Sequence, residues 1–432
     1  MKYFLLLIDK ITPHCLGIIL AAYFLLPSTS YAQFTVGAEL RPRMEFRDGY
    51  RTLPPEDSKP AFFISQRSRL NFSYAQKKFS LKFSFQDVRT WGDEELGLDV
   101  ASTGLHEGYG QIQFNEQASL RIGRQELVYD DERLIGNSNW NQQARSFDAA
   151  LFKYNSNGWN IDAAGAFNQQ KENLFSTDYS LNAFKVLGFL HAGRSTEMYK
   201  AYAVLITDGF QGTDSTQELF MRYTYGANGE YTFKKIKWKG MIYAQSGMDK
   251  TNRAISAYLL SLQGHYQLKK LNTGAGLEFI SGGDATDSTD EKIRTFNTLY
   301  ATNHPLYGHQ DYFENIPVDT RNGGLMDVYL KLNYAIHPKI TGYIDYHYFR
   351  LAGNVLDTEN GGSPVRKYLG SEIDLWFIYK FTDGLEIRPG FSTMLATHSM
   401  DVIKGSNNRL TGYWAYVQVT FNPVLFRFDG KG

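Results

Sequence analysis

The sequence holds a single cysteine, Cys15, among 432 residues, so no internal disulfide can brace it. It lacks any apolar run of the roughly 20 residues that a helical membrane span needs; the stretch from Cys15 to Leu26 falls well short. Net charge is absent too, with 45 basic residues against 45 acidic, and no nucleic-acid partner is expected. There is no Gly-x-Ser-x-Gly elbow, no His-Glu-x-x-His, no phosphate-cradling glycine loop and no cysteine pair. Catalysis therefore has no visible seat, the chain is expected not to be an enzyme, and no cofactor is implied. His304, His309 and Asp311, and the acidic stretch Asp284, Asp287, Asp290 and Glu291, lack the fixed spacing of a metal or calcium loop, so they are read as loop residues and no metal site is assigned.

What the sequence does have is alternation. From 34 to 47, Phe34, Val36, Ala38, Leu40, Pro42, Met44 and Phe46 hold one parity, while Glu39, Arg41, Arg43, Glu45 and Arg47 hold the other. A strand projects successive side chains to opposite faces, giving one apolar face and one charged face. A soluble sandwich would turn the charges outward. A membrane barrel turns the apolar face to lipid and the charges to the lumen.

The N-terminus favours the membrane. Lys2 and Lys10, the apolar stretch, and Ser30-Tyr31-Ala32 have the order of a secretory signal peptide. Residues 1–32 are thus expected to be cleaved, and residues 33–432 to form one domain; a retained anchor is the less favoured alternative. Cleavage would remove Cys15 and leave the mature chain near neutral. Without disulfides, rigidity must come from elsewhere, and closure of a barrel is one source.

Eighteen alternating runs follow, near 34–47, 62–75, 78–91, 104–114, 118–128, 145–154, 158–168, 184–193, 197–207, 218–234, 236–248, 254–268, 270–282, 323–335, 338–351, 366–381, 384–396 and 409–421. The two near 184 and 197 are the poorest, which leaves sixteen strands open. Connections alternate in length. Gln76-Lys77, Lys235, Lys269 and Thr382-Asp383 are tight; 48–61, 129–143, 169–182, 283–322 and 352–365 are long and polar. Short turns at the periplasm and long loops outside are the asymmetry of outer-membrane barrels. The expected fold is therefore an all-β transmembrane antiparallel barrel in the cell outer membrane, with outer-membrane lipid around it. Pro42 and Pro389 fall inside runs, where a bulge or an unpaired position is expected. The loop from Gly283 to Asn322, at about forty residues, exceeds the usual connection. It is expected to fold over or into the outer mouth, packing Phe296, Tyr300, Tyr307, Tyr312 and Phe313 against the rim.

The lumen parity is rich in arginine early, at Arg41, Arg43, Arg67 and Arg69, and in carboxylates late, including Glu372 and Asp374. These groups either pair across the lumen as a structural ladder or select anionic solutes, because guanidinium stays charged and grips carboxylates in two-pronged fashion.

Several longer motifs stand out: Gly123-Arg124-Gln125-Glu126-Leu127, Asp131-Glu132-Arg133-Leu134-Ile135-Gly136, Trp140, Arg145-Ser146-Phe147-Asp148, Gln86 through Asp93, Phe296 through Tyr300, Tyr307-Gly308, Asp311-Tyr312-Phe313 and Leu369 through Leu375. Together they resemble the alginate export family of outer-membrane barrels. The resemblance covers essentially the whole chain after residue 32. It implies an eighteen-stranded barrel conducting an anionic polysaccharide through an arginine-rich constriction. Arg89, Arg124, Arg133, Arg145 and Asp148 are then candidate constriction or loop-anchor residues. Arg124 shares its parity with Leu120 and Ile122, so a bulge at Gly123 would be needed to turn it inward.

The expected function is passage of an anionic solute or a poly- or oligosaccharide, and export would add periplasmic partners. The alternative is a barrel whose loops bind a ligand or partner at the surface without conduction. A barrel-embedded hydrolase would need a nucleophile paired with a base, which the sequence does not offer.

Overall fold

Burial in this chain is inverted relative to a water-soluble protein. Leu40, Met44 and Phe46 are 39%, 40% and 42% exposed, whereas the interleaved Arg41, Arg43 and Glu45 are 5%, 4% and 1% exposed. The computed structural model describes residues 32–430 except 99, 101, 180, 182, 213–217 and 406. The leader expected over residues 1–32 lies outside the described residues except for Ala32.

The inversion follows from closure of an antiparallel sheet of eighteen strands. They are β1 (Gln33–Asp48), β2 (Ala61–Ala75), β3 (Phe79–Thr90), β4 (Gly104–Gln113), β5 (Ala118–Gln125), β6 (Phe147–Ser156), β7 (Trp159–Phe167), β8 (Val186–Ser195), β9 (Tyr199–Gln211), β10 (Leu219–Phe233), β11 (Ile236–Met248), β12 (Ala254–Leu268), β13 (Leu271–Ile280), β14 (Leu325–His337), β15 (Ile340–Arg350), β16 (Tyr368–Thr382), β17 (Leu385–Ala396) and β18 (Thr411–Phe421 with Val424–Asp429). Each pairs with the next, and β1 closes the ring on β18 through Arg43↔Gln418 and Gln33↔Asp429. A closed ring leaves no unpaired edge to face lipid. The last strand is longer than the sequence suggests. Pro423 interrupts it, and after a one-residue shift in register between Gly37↔Val424 and Val36↔Phe426, Phe426 and Phe428 return to the outer face, where Phe428 meets Phe34.

Pro42 and Pro389 are accommodated without a bulge. Pro42 faces Gln66 on β2, while the ladder to β18 jumps from Leu40↔Phe421 to Arg43↔Gln418 with register unchanged. Pro389 faces Val417 on β18, and the ladder to β16 jumps from Trp376↔Gly390 to Tyr379↔Ile387. Each proline lacks a donor on the side where the ladder skips.

Trp159, Tyr199, Tyr231, Trp238 and Phe381 lie exposed within a few residues of the short turns. They form the aromatic girdle that marks one interface of a membrane barrel. The long connections all emerge at the other end. Two of them, 126–146 and 281–324, turn back into the barrel. Their apolar residues, Leu127, Leu134, Ile135, Phe296, Tyr307, Tyr312, Phe313 and Ile316, pack with wall residues Leu151, Ile206, Leu259, Ile280, Leu325 and Phe349 in one buried cluster. The upper part of the lumen is therefore a hydrophobic core made of loops.

Candidate functional site

The two inward loops meet each other before they meet the wall. Ile135 and Tyr300 form a parallel bridge, and the Gly136 amide donates to the Tyr300 carbonyl at 2.9 Å. Arg145 spends its guanidinium on loop carbonyls, donating to Ala301 at 3.1 Å and to Tyr300. It lies just ahead of β6, and burial pushes its pKa down.

Arginines on β1 and β2 then clamp the first loop. Arg41 donates to the Asn139 carbonyl at 2.8 Å, the Asn141 carbonyl at 3.0 Å and Gln142 Oε1 at 3.0 Å. Arg43 donates to the Trp140 carbonyl at 2.9 Å and lies 4.1 Å over its ring. Arg67, fully buried, binds Glu39 at 2.7 Å and Asn139 Oδ1 at 2.9 Å. Arg69 reaches Gln86 at 2.7 Å, with Glu126 3.8 Å away. Guanidinium suits this task because its planar fork satisfies several carbonyls at once.

The second loop is anchored on the late carboxylates. Glu372 accepts the Gln310 amide at 2.7 Å, and Asp374 lies 3.5 Å from the His309 amide. Gly308 sits at φ +86°, and a Cβ there would lie 2.6 Å from the Glu372 carboxyl, so only glycine lets the backbone come this close. Tyr312 on the same loop donates to the Gly49 carbonyl at 2.7 Å. His304 pairs with Asp311 at 2.7 Å and stacks on Trp140 at 4.1 Å and on His309 at 4.7 Å. Burial, reinforced by neighbouring cations, drives the His309 pKa well below the ordinary imidazole range. Burial would raise the Asp311 pKa, but His304 and Tyr50 outweigh it and hold the carboxyl low.

Arg133 joins the two loops to β13. It donates to Asp131 at 3.2 Å and Tyr307 Oη at 3.3 Å, and it touches Glu278. Burial opposes its charge, yet Asp131 and Tyr307 outweigh the penalty and hold its pKa above the ordinary value. Asp131 is itself held low against burial by Arg133 and Lys239.

Three of the sequence-nominated residues lie elsewhere. Arg89 stands at the outer end of β3 on the parity of Phe83 and Phe85, reaches Asp87 at 2.7 Å, and edges the recess above the loops from the rim. Arg124 and Asp148 pair across β5 and β6 at 2.9 Å, on the parity of the exposed Ile122 and Phe152. The inward turn expected at Gly123 does not occur: register is continuous through Tyr109↔Gly123 and Gly108↔Arg124. Gly123 is needed instead for close approach to β4, since a Cβ would lie 2.3 Å from the Gly108 carbonyl oxygen.

Above and below the loop core lie two recesses. The outer one, about 380 Å³, is bordered by Arg43, Arg47, Arg51, Arg89, Tyr50 and Gln142, with Glu45 and Asp93 as its carboxylates. The inner one, about 480 Å³, opens towards the short-turn end. It sets Arg133, Lys235, Lys237, Lys239 and Lys331 against Asp131 and Glu230, with His265, Gln263, Gln267 and Asn272 between them. Lys237 and Lys239 had a visible signal, since Lys235, Lys237 and Lys239 share one parity of the run 236–248 and its turn, opposite Trp238 and Ile242.

A closed eighteen-stranded barrel with loops folded into a charged lumen defines an outer-membrane channel. The alginate export family model matches residues 32–395, and the chain belongs to that family. No curated protein matches it in sequence. Among solved structures it is similar to OccAB4 of Acinetobacter baumannii, with TM-score 0.62, 11% identity, and 93% of this chain and 99% of that one covered. It is also similar to OccK3 (OpdO) of Pseudomonas aeruginosa, with TM-score 0.61, 13% identity, and 91% and 96% covered. A third is OpdK of Pseudomonas aeruginosa, solved with vanillate, with TM-score 0.56, 11% identity, and 92% and 99% covered. At such identities the likeness is one of fold.

Proposed function

We propose that this channel passes anionic solutes, acidic saccharides foremost, between the outer recess and the inner one. The observation that carries this reading is the inner recess, where five cationic side chains face two carboxylates. Charges of one sign on low-dielectric walls focus the field and concentrate counter-charged solutes. The flanking polar groups, Gln263, Gln267, Asn272 and Tyr329, suit hydroxyl-rich ligands. Lys239 is tied to Asp131 at 3.1 Å and Lys237 to Glu230 at 2.8 Å. Such partly compensated cations hold an anion weakly enough for it to leave again.

The outer recess is of the same character, so an anion released from one side of the loop core finds cations on the other. The fold neighbour OpdK is solved with vanillate, a small aromatic carboxylate, which is consistent with anion passage through barrels of this shape. In this reading Arg41, Arg43, Arg67, Arg69, Arg133 and Arg145, with Glu372 and Asp374, set the constriction by fixing the loops that form it. Arg89, Arg124 and Asp148 serve the outer wall and rim.

The test is conduction by purified protein in planar bilayers, with Lys237→Gln, Lys239→Gln and Lys331→Gln combined. The triple variant should lose anion preference while remaining folded. An unchanged preference would remove the inner recess from the path.

A further inference from the structure

We propose that His106, Glu107 and Glu126 form a binding site for a divalent transition-metal ion, with Zn2+ as the fitting probe, which ties the first inward loop to the barrel wall.

The argument begins with a defect in the ladder. β4 pairs Ser84↔Glu107 and then Phe85↔Leu105, so His106 is an extra residue in a bulge. Strict alternation would send His106 and Glu107 to opposite faces. The bulge lets both side chains be buried, each at 4% exposure. Bulges re-aim side chains at the cost of a ladder pair, and here the gain is two neighbouring ligand-type groups on one side. Glu126, the first residue of the inward loop after β5, supplies the third. One donor atom from each of the three residues lies within 4.8 Å of the others.

Hydrogen bonds from behind orient His106 and Glu126, as such partners orient the ligands of metal sites. Ser146 Oγ lies 3.2 Å from His106 Nδ1, which leaves Nε2 free to ligate. Asn137 donates to Glu126 Oε2 at 2.7 Å, leaving Oε1 turned to His106. Without an ion, His106 Nε2 and Glu126 Oε1 are 2.7 Å apart. Two ligands on one tetrahedral Zn2+ stand roughly 3.3 Å apart, so the pair must open by about half an ångström. Rotation of the Glu126 side chain, 21% exposed, supplies it. That exposure also gives an ion its entry and leaves a fourth position for water.

One imidazole and two carboxylates match Zn2+ in ligand type and neutralise its charge. The opposing groups are Lys82, which pairs with Glu107, and Arg69, 3.8 Å from Glu126. Lys82 is the competitor that an ion must displace. The loop reaches the cluster through Glu126, Asn137 and Ser146, so a bound ion would fasten both of its ends to β4.

The experiment uses the full folded barrel in detergent, stripped with chelator and titrated calorimetrically with Zn2+. The proposal predicts saturable binding that is lost in Glu126→Gln and in His106→Gln. Lys82→Gln should bind more tightly, because the competing cation is gone. Ser146→Ala keeps every ligand and should weaken binding about tenfold, the usual effect of losing an orienting partner. Absence of saturable binding to the parent protein would overturn the site, as would affinity unchanged in both ligand variants. If those variants do not fold, unchanged affinity in Ser146→Ala and Lys82→Gln overturns it equally. Binding is read without conduction, so its failure is distinct from failure of the channel reading.

Discussion

Arg41 on the barrel wall donates to the carbonyl oxygen of Asn139 at 2.8 Å, across 98 residues of sequence. That bond and its neighbours turn a charged lumen face into the seat of a folded loop. Bonds to a charged donor are worth about 1.5–3 kcal/mol each, and carbonyls left buried without a donor add to the cost of losing them. Arg41→Gln should therefore release the loop by about 2 kcal/mol, raising its open population roughly 30-fold. Single-channel recordings should show larger and noisier conductance, while the folded band on an unheated gel persists. Conductance indistinguishable from the parent would mean that the loop holds without Arg41.

Gly308→Ala tests the other anchor. A methyl group would meet the Glu372 carboxyl at 2.6 Å, on backbone at φ +86°. Strain of this kind costs about 1–3 kcal/mol, so the second loop should loosen and conductance should rise. Glu372→Gln keeps the shape and the acceptor oxygen, and should have the smaller effect of the two.

Acid should open the same loop. The His309 pKa is depressed on folding, so the neutral ring's contribution to loop packing is complete above about pH 6.5, the ordinary imidazole value. It is lost as pH falls below that value towards the folded pKa, because the released loop binds a proton that the packed loop refuses. Asp311, also depressed, adds a second loss below its own ordinary range. Conductance at pH 5 should exceed that at pH 7.5, and His309→Gln should flatten this dependence. A fall in conductance on acidification would contradict the assignment.

The strand ladder was legible because side-chain alternation and gap length are local properties. Most runs match the observed strands within two residues. The run near 197–207 stops four residues short of β9, which ends at Gln211. The run ending at Phe421 misses the continuation Val424–Asp429, whose Phe426 and Phe428 return to the outer face only after a one-residue register shift. The entry of the 283–322 loop was legible from its length and aromatic content; Phe296, Tyr307, Tyr312 and Phe313 are all buried. In its companion, the stretch 129–143 reads by itself only as a long polar connection, and Arg133 and Arg145 are nominated as loop anchors through the family resemblance alone. Its partners Arg41, Arg43 and Arg67 lie 98, 97 and 72 residues upstream of the groups they bind, and nothing local announces a bond between an arginine and a distant loop acceptor. Parity could not reveal that the β1 and β2 arginines serve a loop rather than open solvent. It did place Arg124 on the outer face, and the structure keeps it there beside Asp148.

Loss of the inner wall cation Lys237 should act on selectivity without touching the loops. Lys237 bonds to Glu230 on the neighbouring strand, whereas Lys239 holds Asp131 of the first inward loop. Replacing Lys237 alone with glutamine should leave conductance noise at the parental level and reduce the anion-to-cation permeability ratio. Increased noise would place Lys237 in the loop machinery instead.

The most direct measurement is the reversal potential of single parental channels in planar bilayers under a potassium chloride gradient. The account predicts a potential of the sign given by chloride preference, largest in dilute salt and shrinking towards about 1 M, where screening shortens to about 3 Å. A potential of the opposite sign, or one independent of salt, would contradict an anion-selective path.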